Sequence, residues 1–294
     1  MRDDELRAAC FLALDALRAQ RGDELPYRGA LDQGFAFRGR RVPFLSTQKG
    51  IFRAAAQRGH AALAVQTSFK SPYDDAPTDD GFLYAYRAGA IDQPDNRALS
   101  EAFESGVPIV YFVGIAPGMY RPEYPIYVAE NRPNERCVLL SPGRRTPSGV
   151  AHPLIETVER RYAVVETRAR LHQARFRGIV LPAYRDQCAI CRLKELRLLD
   201  AAHILPDTDP RGVPSVTNGI SFCTIHHRSF DRHLVGIDAG YQVHVSRRLL
   251  EDEDGPMLAL LKEFHGTEIE LPPPRKRPDR ELLAERYRLF LDAA

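Results

Sequence analysis

The chain has 294 residues, 27% charged residues and a formal net charge of +2, so it is long enough for two domains and is neither strongly acidic nor strongly basic. Its 44% hydrophobic content is typical of a globular protein and excludes a disordered or fibrous chain. No apolar run is long enough to span a bilayer, and the acidic residues 1–5 lack the pattern of a signal peptide. These features predict a cytoplasmic protein without a membrane segment.

The predicted elements begin with a helix over residues 5–20, where apolar side chains recur at helical spacing. From about residue 34 to residue 130, short β-rich runs alternate with turn residues, which favours a β-barrel or a sandwich. One short helix is predicted between these strands, over residues 96–103. The predicted strands cover residues 61–68, 82–86, 109–113 and 126–128.

Residues 131–153 are rich in proline, glycine and asparagine, and they are the best candidate for a linker or an exposed edge. A long charged helix is predicted from about residue 154 to residue 177. It carries six arginines and one glutamate between Arg160 and Arg177. Such a stretch is typical of a contact with phosphates, although a solvated helix face has the same composition. A last amphipathic helix is predicted over residues 280–291.

Three cysteines and one histidine form two pairs with the same i, i+3 spacing: Cys188 with Cys191, and Cys223 with His226. Two such pairs, about thirty residues apart, can close a tetrahedral Cys3His site for a structural Zn2+ ion. An odd number of cysteines with one C-x2-C pair indicates metal binding rather than disulfides. A non-catalytic zinc ribbon would explain these four residues equally well.

Three further polar residues, His203, Asn218 and His227, stand between and after these pairs. A neutral imidazole can accept a proton from water, so His203 is the candidate general base of a hydrolytic reaction. His227 is the candidate ligand of a catalytic divalent cation, Mg2+ or Mn2+. Asn218 is expected to fix the loop, and its amide can orient the base histidine or reach the metal.

The order of these three residues, flanked by the two metal-binding pairs, resembles the HNH endonuclease superfamily over residues 176–238. The resemblance implies a C-terminal ββα-metal fold with a structural zinc. It also implies the activity of an HNH endodeoxyribonuclease, a metal-dependent phosphodiester hydrolase. A zinc ribbon alone leaves the two catalytic histidines and the asparagine unexplained.

The sequence departs from the family pattern at Ala202, where many members carry a His or Asp metal ligand directly before the general base. Because side chains alternate along a strand, Asp200 lies on the same face as Ala202 and is the candidate carboxylate ligand. Asp231 follows His227 by four residues on a presumed helix, so it is an alternative ligand or an orienting group. Ala202 also keeps open a DNA-binding protein with a degenerate nuclease fold.

Short motifs in the N-terminal half resemble, in their order, an SRA (YDG) domain over residues 35–130. The motifs are Lys49-Gly50-Ile51, Tyr73-Asp74-Asp75, Tyr84-Ala85-Tyr86-Arg87-Ala88-Gly89 and Asn96-Arg97-Ala98-Leu99. The resemblance implies an SRA/PUA-like β-barrel that flips a modified cytosine, 5-methyl or 5-hydroxymethyl, out of DNA. Tyr73 and Tyr86 match the aromatic positions of its base pocket, and either Asp74 or Asp75 matches the pocket carboxylate. Alternatively, the tyrosines line an ordinary core and the aspartates form a solvated turn.

Four basic residues of this half, Lys49, Arg53, Lys70 and Arg87, are candidates for contacts with DNA phosphates. Such contacts position a protein on DNA without reading its sequence. The sequence does not choose among the four.

Together the two resemblances predict an α+β protein that resembles modification-dependent restriction endonucleases, with double-stranded DNA containing modified cytosine as its partner. Because double-strand cleavage with one site per chain is easiest with two chains, a homodimer is expected. The alternative is a non-specific or nicking HNH nuclease whose N-terminal domain does not read base modification. The predicted regions are an SRA-like domain (1–145), a linker helix (146–178), the HNH nuclease domain (179–262) and a C-terminal tail with a helix (263–294).

Overall fold

The structure is a computed structural model in which the contacts divide the chain into two compact units: unit 1, Met1–Ala174, and unit 2, Arg175–Ala294. None of the described helices is long and apolar enough to cross a membrane. The described residues are 2–69, 77–78, 81–142, 153–253, 255 and 258–293.

The described residues form seven α-helices, and all four predicted helices are among them. Their bounds are α1 Arg2–Arg21, α2 Pro94–Ser105, α3 Pro153–Ala183, α4 Thr224–Asp231, α5 Arg247–Glu251, α6 Ala259–Lys262 and α7 Arg280–Ala293. Helix α2 begins with Pro94, whose ring suits the first helical position, and ends before Gly106 in the left-handed conformation.

The described residues also form fourteen strands. In unit 1 they are β1 Leu25–Pro26, β2 Phe35–Phe37, β3 Arg40–Val42, β4 Ile51–Phe52, β5 Ala64–Thr67, β6 Pro77–Thr78, β7 Gly81–Ala85, β8 Ile109–Ala116, β9 Met119–Arg132 and β10 Cys137–Pro142. In unit 2 they are β11 Leu199–His203, β12 Gly219–Cys223, β13 Val235–Ile237 and β14 Val243–Val245. Strands β5, β7 and β8 match three predicted runs, and the fourth run is part of β9.

The main sheet of unit 1 has eight strands in the order β4-β5-β8-β9-β10-β7-β6, with β1 also paired to β9. Strands β5 and β8 are parallel, whereas the other neighbours are antiparallel. Among the described residues, no pairing joins β4 to β6. The unit is therefore a mixed sheet with helices, and the closed barrel that we expected is not shown.

Helices α1 and α2 cover the two faces of this sheet. Val65 and Tyr111 pack in one core cluster with Leu99 of α2, whereas their strand neighbours pack in a second cluster with Leu6 and Leu14 of α1. The neighbours are Ala64, Val110 and Phe112. This division follows from the alternation of side chains along β5 and β8. It explains why every residue of β8 is buried.

The prediction of a linker over residues 131–153 is wrong for its first half. Residues up to Arg132 belong to β9, and Cys137–Pro142 form β10, which lies between β9 and β7 inside the sheet. Of the turn residues that suggested a linker, Pro133 and Asn134 lie in the short connection between β9 and β10. The buried run Val138-Leu139-Leu140 was the signal of a strand. Residues 143–152 lie outside the described residues.

Unit 2 is built on the antiparallel β11–β12 hairpin, with Leu199 opposite Cys223 and His203 opposite Gly219. Helix α4 follows β12 directly. Strands β13 and β14 form a second hairpin, against which α7 packs so closely that a Cβ on Gly236 would lie 2.5 Å from a ring atom of Phe290. The C-terminal helix therefore belongs to the core of unit 2.

Candidate active site and metal centre

The four side chains predicted to bind zinc lie together in unit 2, with their ligand atoms all within 4.8 Å of one another. The Sγ atoms of Cys191 and Cys223 are 3.8 Å apart, and His226 Nδ1 lies 3.1 Å from Cys223 Sγ and 3.5 Å from Cys188 Sγ. A tetrahedron with metal–sulfur bonds of about 2.3 Å has edges of about 3.8 Å. The cluster could therefore bind zinc.

Backbone hydrogen bonds hold the first cysteine pair against the second. The carbonyl of Cys188 accepts a bond from the amide of Arg192 at 3.0 Å, which closes the turn around the two sulfurs. Ala189 N donates to Ser221 O at 2.7 Å and so ties this turn to β12. Because β12 ends at Cys223, the second pair is brought to the same place.

A second layer orients the histidine of the cluster. His226 is buried, and its Nε2 donates to the carbonyl of Leu260 at 3.0 Å while its Nδ1 faces the sulfurs. The ring of Phe264 packs edge-on against the imidazole, with centroids 5.5 Å apart. A backbone partner on the outer nitrogen selects the tautomer that can bind a metal through Nδ1.

The candidate general base, His203, is the last residue of β11 and lies opposite Gly219. Its ring stacks on Phe176 of α3, with centroids 3.8 Å apart and planes 11° apart. A Cβ at position 219 would lie 2.9 Å from the Phe176 ring and 2.5 Å from Val180, so only glycine leaves room for this close approach. The β11–β12 hairpin and α3 together fix the plane of the imidazole.

The candidate metal ligand, His227, stands in the first half of α4 with a carboxylate beside each ring nitrogen. Its Nδ1 is 3.4 Å from Asp200 Oδ2, and its Nε2 is 3.5 Å from Asp231 Oδ2. Burial lowers and these carboxylates raise the pKa of His227, with a net increase. The hydrogen bond to His227 is the largest influence on the pKa of Asp200, which lies below its ordinary value.

Strand alternation places the side chains of Asp200 and His203 on opposite faces of the β11–β12 hairpin. Asp200 lies opposite Phe222, whose ring contacts Phe230 of α4, so this face of the hairpin is covered by α4. His203 and Gly219 point to the other face, toward Phe176. Ala202, where the family pattern has a ligand, shares the α4 face and is fully buried.

Asn218 is buried, and its side-chain amide is bonded to the loop between β11 and β12. Its Oδ1 accepts from Leu205 N at 3.0 Å, and its Nδ2 donates to Leu205 O at 3.0 Å and to Val213 O at 3.2 Å. Its own carbonyl accepts from Ile204 N at 3.0 Å. The residue thus closes the loop that begins directly after His203.

Two arginines near this site make contacts that the sequence did not indicate. Arg177 donates to the carbonyls of Leu196 and Leu199, which anchors the start of β11. Arg286 of α7 donates to Phe230 O at 3.1 Å and lies 4.0 Å from Asp231 Oδ1. Nothing in the local sequence marks these contacts, because the partners are main-chain groups or come from another element.

The residues expected in a base pocket are only partly described. Tyr73, Asp74 and Asp75 lie outside the described residues. Tyr86 is 7% exposed and packs in the core, and its hydroxyl bonds to Ser100 and Asn131. Its environment is that of a core tyrosine, which was the alternative interpretation of the sequence.

Residues 188–238 match the family model of the HNH endonucleases. Among solved structures, the chain is similar to a modification dependent TagI restriction endonuclease, with 15% identity, a TM-score of 0.32, and coverage of 78% of this chain and 81% of that chain. It is also similar to the Type IV phosphorothioation-dependent restriction endonuclease ScoMcrA, with 12% identity, a TM-score of 0.27, and coverage of 84% and 56%. Scores this low do not establish a shared fold. No curated protein matches the chain.

The segment matched by the family model contains both metal-binding pairs, the β11–β12 hairpin and helix α4. The chain therefore carries an HNH endonuclease domain over residues 188–238 and is a nuclease hydrolase.

Proposed function

We propose that the protein is a modification-dependent DNA endonuclease of the restriction type. It binds double-stranded DNA that contains 5-methyl- or 5-hydroxymethylcytosine, flips the modified base, and hydrolyses a phosphodiester bond with the HNH site. Helix α4 places His227 between two carboxylates, and this arrangement is the observation that carries the hydrolytic part of this proposal.

The residues around His227 fit a catalytic divalent cation. Ligands at about 2.1 Å from a metal are separated by about 3.0 to 3.4 Å, close to the 3.4 Å between His227 Nδ1 and Asp200 Oδ2. The carboxylate oxygen of Asp200 suits Mg2+ or Mn2+, and the imidazole of His227 would add a nitrogen ligand. When bound, this cation would stabilise charge on the phosphate and on the leaving oxygen. Asp231, at the other nitrogen, would then orient the imidazole.

His203 accepts the proton of the attacking water in this mechanism. Stacking on Phe176 holds its ring in one plane, so the accepting nitrogen keeps a constant direction toward the substrate. Asn218 acts on the reaction through the loop that follows His203, since its amide is already bonded to that loop. The Cys3His cluster binds a structural zinc and takes no part in the proton transfer.

The recognition part of the proposal rests on the order of sequence motifs within residues 35–130. Tyr73 remains the candidate stacking partner and Asp74 or Asp75 the candidate carboxylate of an SRA-like pocket. The burial of Tyr86 favours the alternative, a non-specific or nicking HNH nuclease whose N-terminal domain does not read base modification. The two functions differ in one measurable property, the dependence of cleavage on the modification.

The test is a cleavage assay on three matched duplexes, which carry cytosine, 5-methylcytosine or 5-hydroxymethylcytosine, with Mg2+ or Mn2+. The wild-type protein is compared with His203→Ala and with a control, His172→Ala, which removes an exposed histidine. Cleavage of modified DNA alone, lost in His203→Ala and kept in His172→Ala, supports both parts. Equal cleavage of all three duplexes contradicts the recognition part, and absence of cleavage from a folded, zinc-bound protein contradicts the whole proposal.

We also propose that two chains act together on duplex DNA, because one HNH site cuts one strand. Helix α3 presents Tyr162 and Val165 to solvent, with Tyr162 74% exposed, and α7 presents Leu289 and Leu291. Light scattering with and without a modified duplex measures the mass of the complex. A single chain per duplex, under conditions in which both strands are cut, would contradict the dimer.

A further inference from the structure

Two basic residues from separate parts of unit 1 converge on one carboxylate. Asp95, in the first turn of α2, accepts a bond from Arg87 Nη1 at 2.6 Å and one from Lys49 Nζ at 3.2 Å. The Asp95 side chain is only 11% exposed, whereas those of Lys49 and Arg87 are 51% and 55% exposed. The carboxylate thus stands behind the two cations, which face the solvent.

Hydrogen bonds from side-chain amides fix the main chain at Lys49 and at Arg87. Asn96, which is fully buried, accepts from Arg87 N at 2.9 Å and donates to Arg87 O at 3.2 Å. Gln93 Nε2 also donates to Arg87 O at 2.9 Å. On the other side, Gln66 Nε2 donates to Lys49 O at 3.1 Å. Both cations are therefore positioned before any ligand arrives, which lowers the entropy lost when they bind one.

Stability alone is a poor explanation for this arrangement, because exposed ion pairs contribute little to folding. One carboxylate also cannot neutralise two cations, so the triad keeps a net positive charge. A planar guanidinium beside an ammonium group suits phosphate oxygens, since the guanidinium can bind two oxygens at once. The ligand class indicated by this chemistry is a phosphate group on a backbone.

We propose that Lys49 and Arg87, organised by Asp95, form a site in unit 1 for the phosphate backbone of DNA. This proposal rests on the proposed function. It selects Lys49 and Arg87 from the four basic residues that the sequence offered as candidates for phosphate contacts. Arg53 donates instead to the carbonyl of Gly59 at 3.3 Å, and Lys70 lies outside the described residues. Because the site contacts the backbone, it binds modified and unmodified duplexes alike.

The test measures the salt dependence of DNA binding with the full chain carrying His203→Ala, which prevents cleavage. Fluorescence anisotropy gives Kd for a modified duplex and for its unmodified counterpart over a series of KCl concentrations. Each phosphate contact contributes about 0.9 to the slope of log Kd against log[KCl]. The added double substitution Lys49→Gln/Arg87→Gln should lower the slope by about 1.8 on both duplexes. Arg53→Gln, the matched control, should leave it unchanged.

The double substitution leaves the Asp95 carboxylate without its two cations, which could lower the stability of the protein. A triple variant that adds Asp95→Asn removes this unpaired charge and allows the slope to be measured on a folded protein. It should show the same decrease in slope. An unchanged slope in both variants overturns this proposal and leaves the nuclease function intact. Failure of the parent chain to bind any duplex, together with a failed cleavage assay, would instead count against the proposed function itself.

Discussion

The imidazole of His203 lies flat on the ring of Phe176, with centroids 3.8 Å apart and planes 11° apart. Because this contact sets the plane of the candidate base, we expect Phe176→Leu to lower kcat about 10- to 100-fold while KM for DNA changes little. Single-turnover cleavage measures the effect, and urea unfolding checks that the variant is folded. Wild-type kcat in a folded variant would show that the stacking has no role in catalysis.

The two carboxylates beside His227 should respond differently to substitution, because Nδ1 and Nε2 of one imidazole cannot bind the same ion. If Asp200 is the co-ligand, Asp200→Asn should abolish Mn2+ binding, whereas Asp231→Asn, which removes an orienting group, should weaken it about 10- to 100-fold. Calorimetric titration with Mn2+ measures both affinities without depending on cleavage. The opposite order would assign the ligand role to Asp231.

Removal of zinc should unfold unit 2, because the cluster joins the Cys188 turn to β12 and α4. We expect one zinc ion per chain, loss of that ion with Cys188→Ser, and retention with the control Cys137→Ser, which lies in unit 1. Metal analysis gives the stoichiometry, and limited proteolysis after chelation should degrade unit 2 before unit 1. A protein that keeps unit 2 folded without zinc would contradict a structural role for the metal.

Asn218→Ala should destabilise the chain by about 1–3 kcal/mol, because it leaves the buried main-chain groups of Leu205 without their amide partner. It should also lower kcat through the loop after His203 while the affinity for Mn2+ stays close to that of the wild type. Urea unfolding and Mn2+ titration separate the two effects. A large loss of Mn2+ affinity would instead indicate that the amide reaches the metal.

Protonation of Asp95 at acid pH should lower the stability of unit 1. Burial raises and the bonds from Arg87 and Lys49 lower the pKa of this carboxyl, with a net decrease below its ordinary value of 3.8. A group whose pKa is lowered by folding stabilises the fold above its unfolded-state pKa, and this contribution is lost as the pH falls through its folded-state pKa. Asp95→Asn should thus cost at most about 1 kcal/mol at neutral pH, and less as the pH falls below the ordinary value of 3.8 and through the lowered pKa of the folded state.

Urea unfolding at several pH values tests this prediction, with Asp92→Asn as the control for an exposed carboxylate in the turn before α2. A difference between wild type and Asp95→Asn that stays constant from neutral to acid pH would contradict it.

Several elements could be predicted from the sequence because their signals are local. The helical spacing of apolar residues predicted α1, and Pro94 and Gly106 stand at the ends of α2. Strand β10 was missed because the turn residues before it outweighed three buried apolar positions. The spacing of the strands favoured a β-barrel or a sandwich, and the resemblance to an SRA domain implied the barrel. Neither signal specifies how the ends of a sheet meet.

The Cys3His cluster and the order of His203, Asn218 and His227 could be predicted from the sequence alone, because each depends on short spacings and the ligands of a metal must lie close together. Only the tertiary structure decided which partners surround them. It set Phe176 beneath His203, Asp200 and Asp231 at opposite nitrogens of His227, and Asp95 between Lys49 and Arg87. These contacts join residues whose spacing along the chain carries no signal, because the packing of separate elements, and not the local backbone, brings them together.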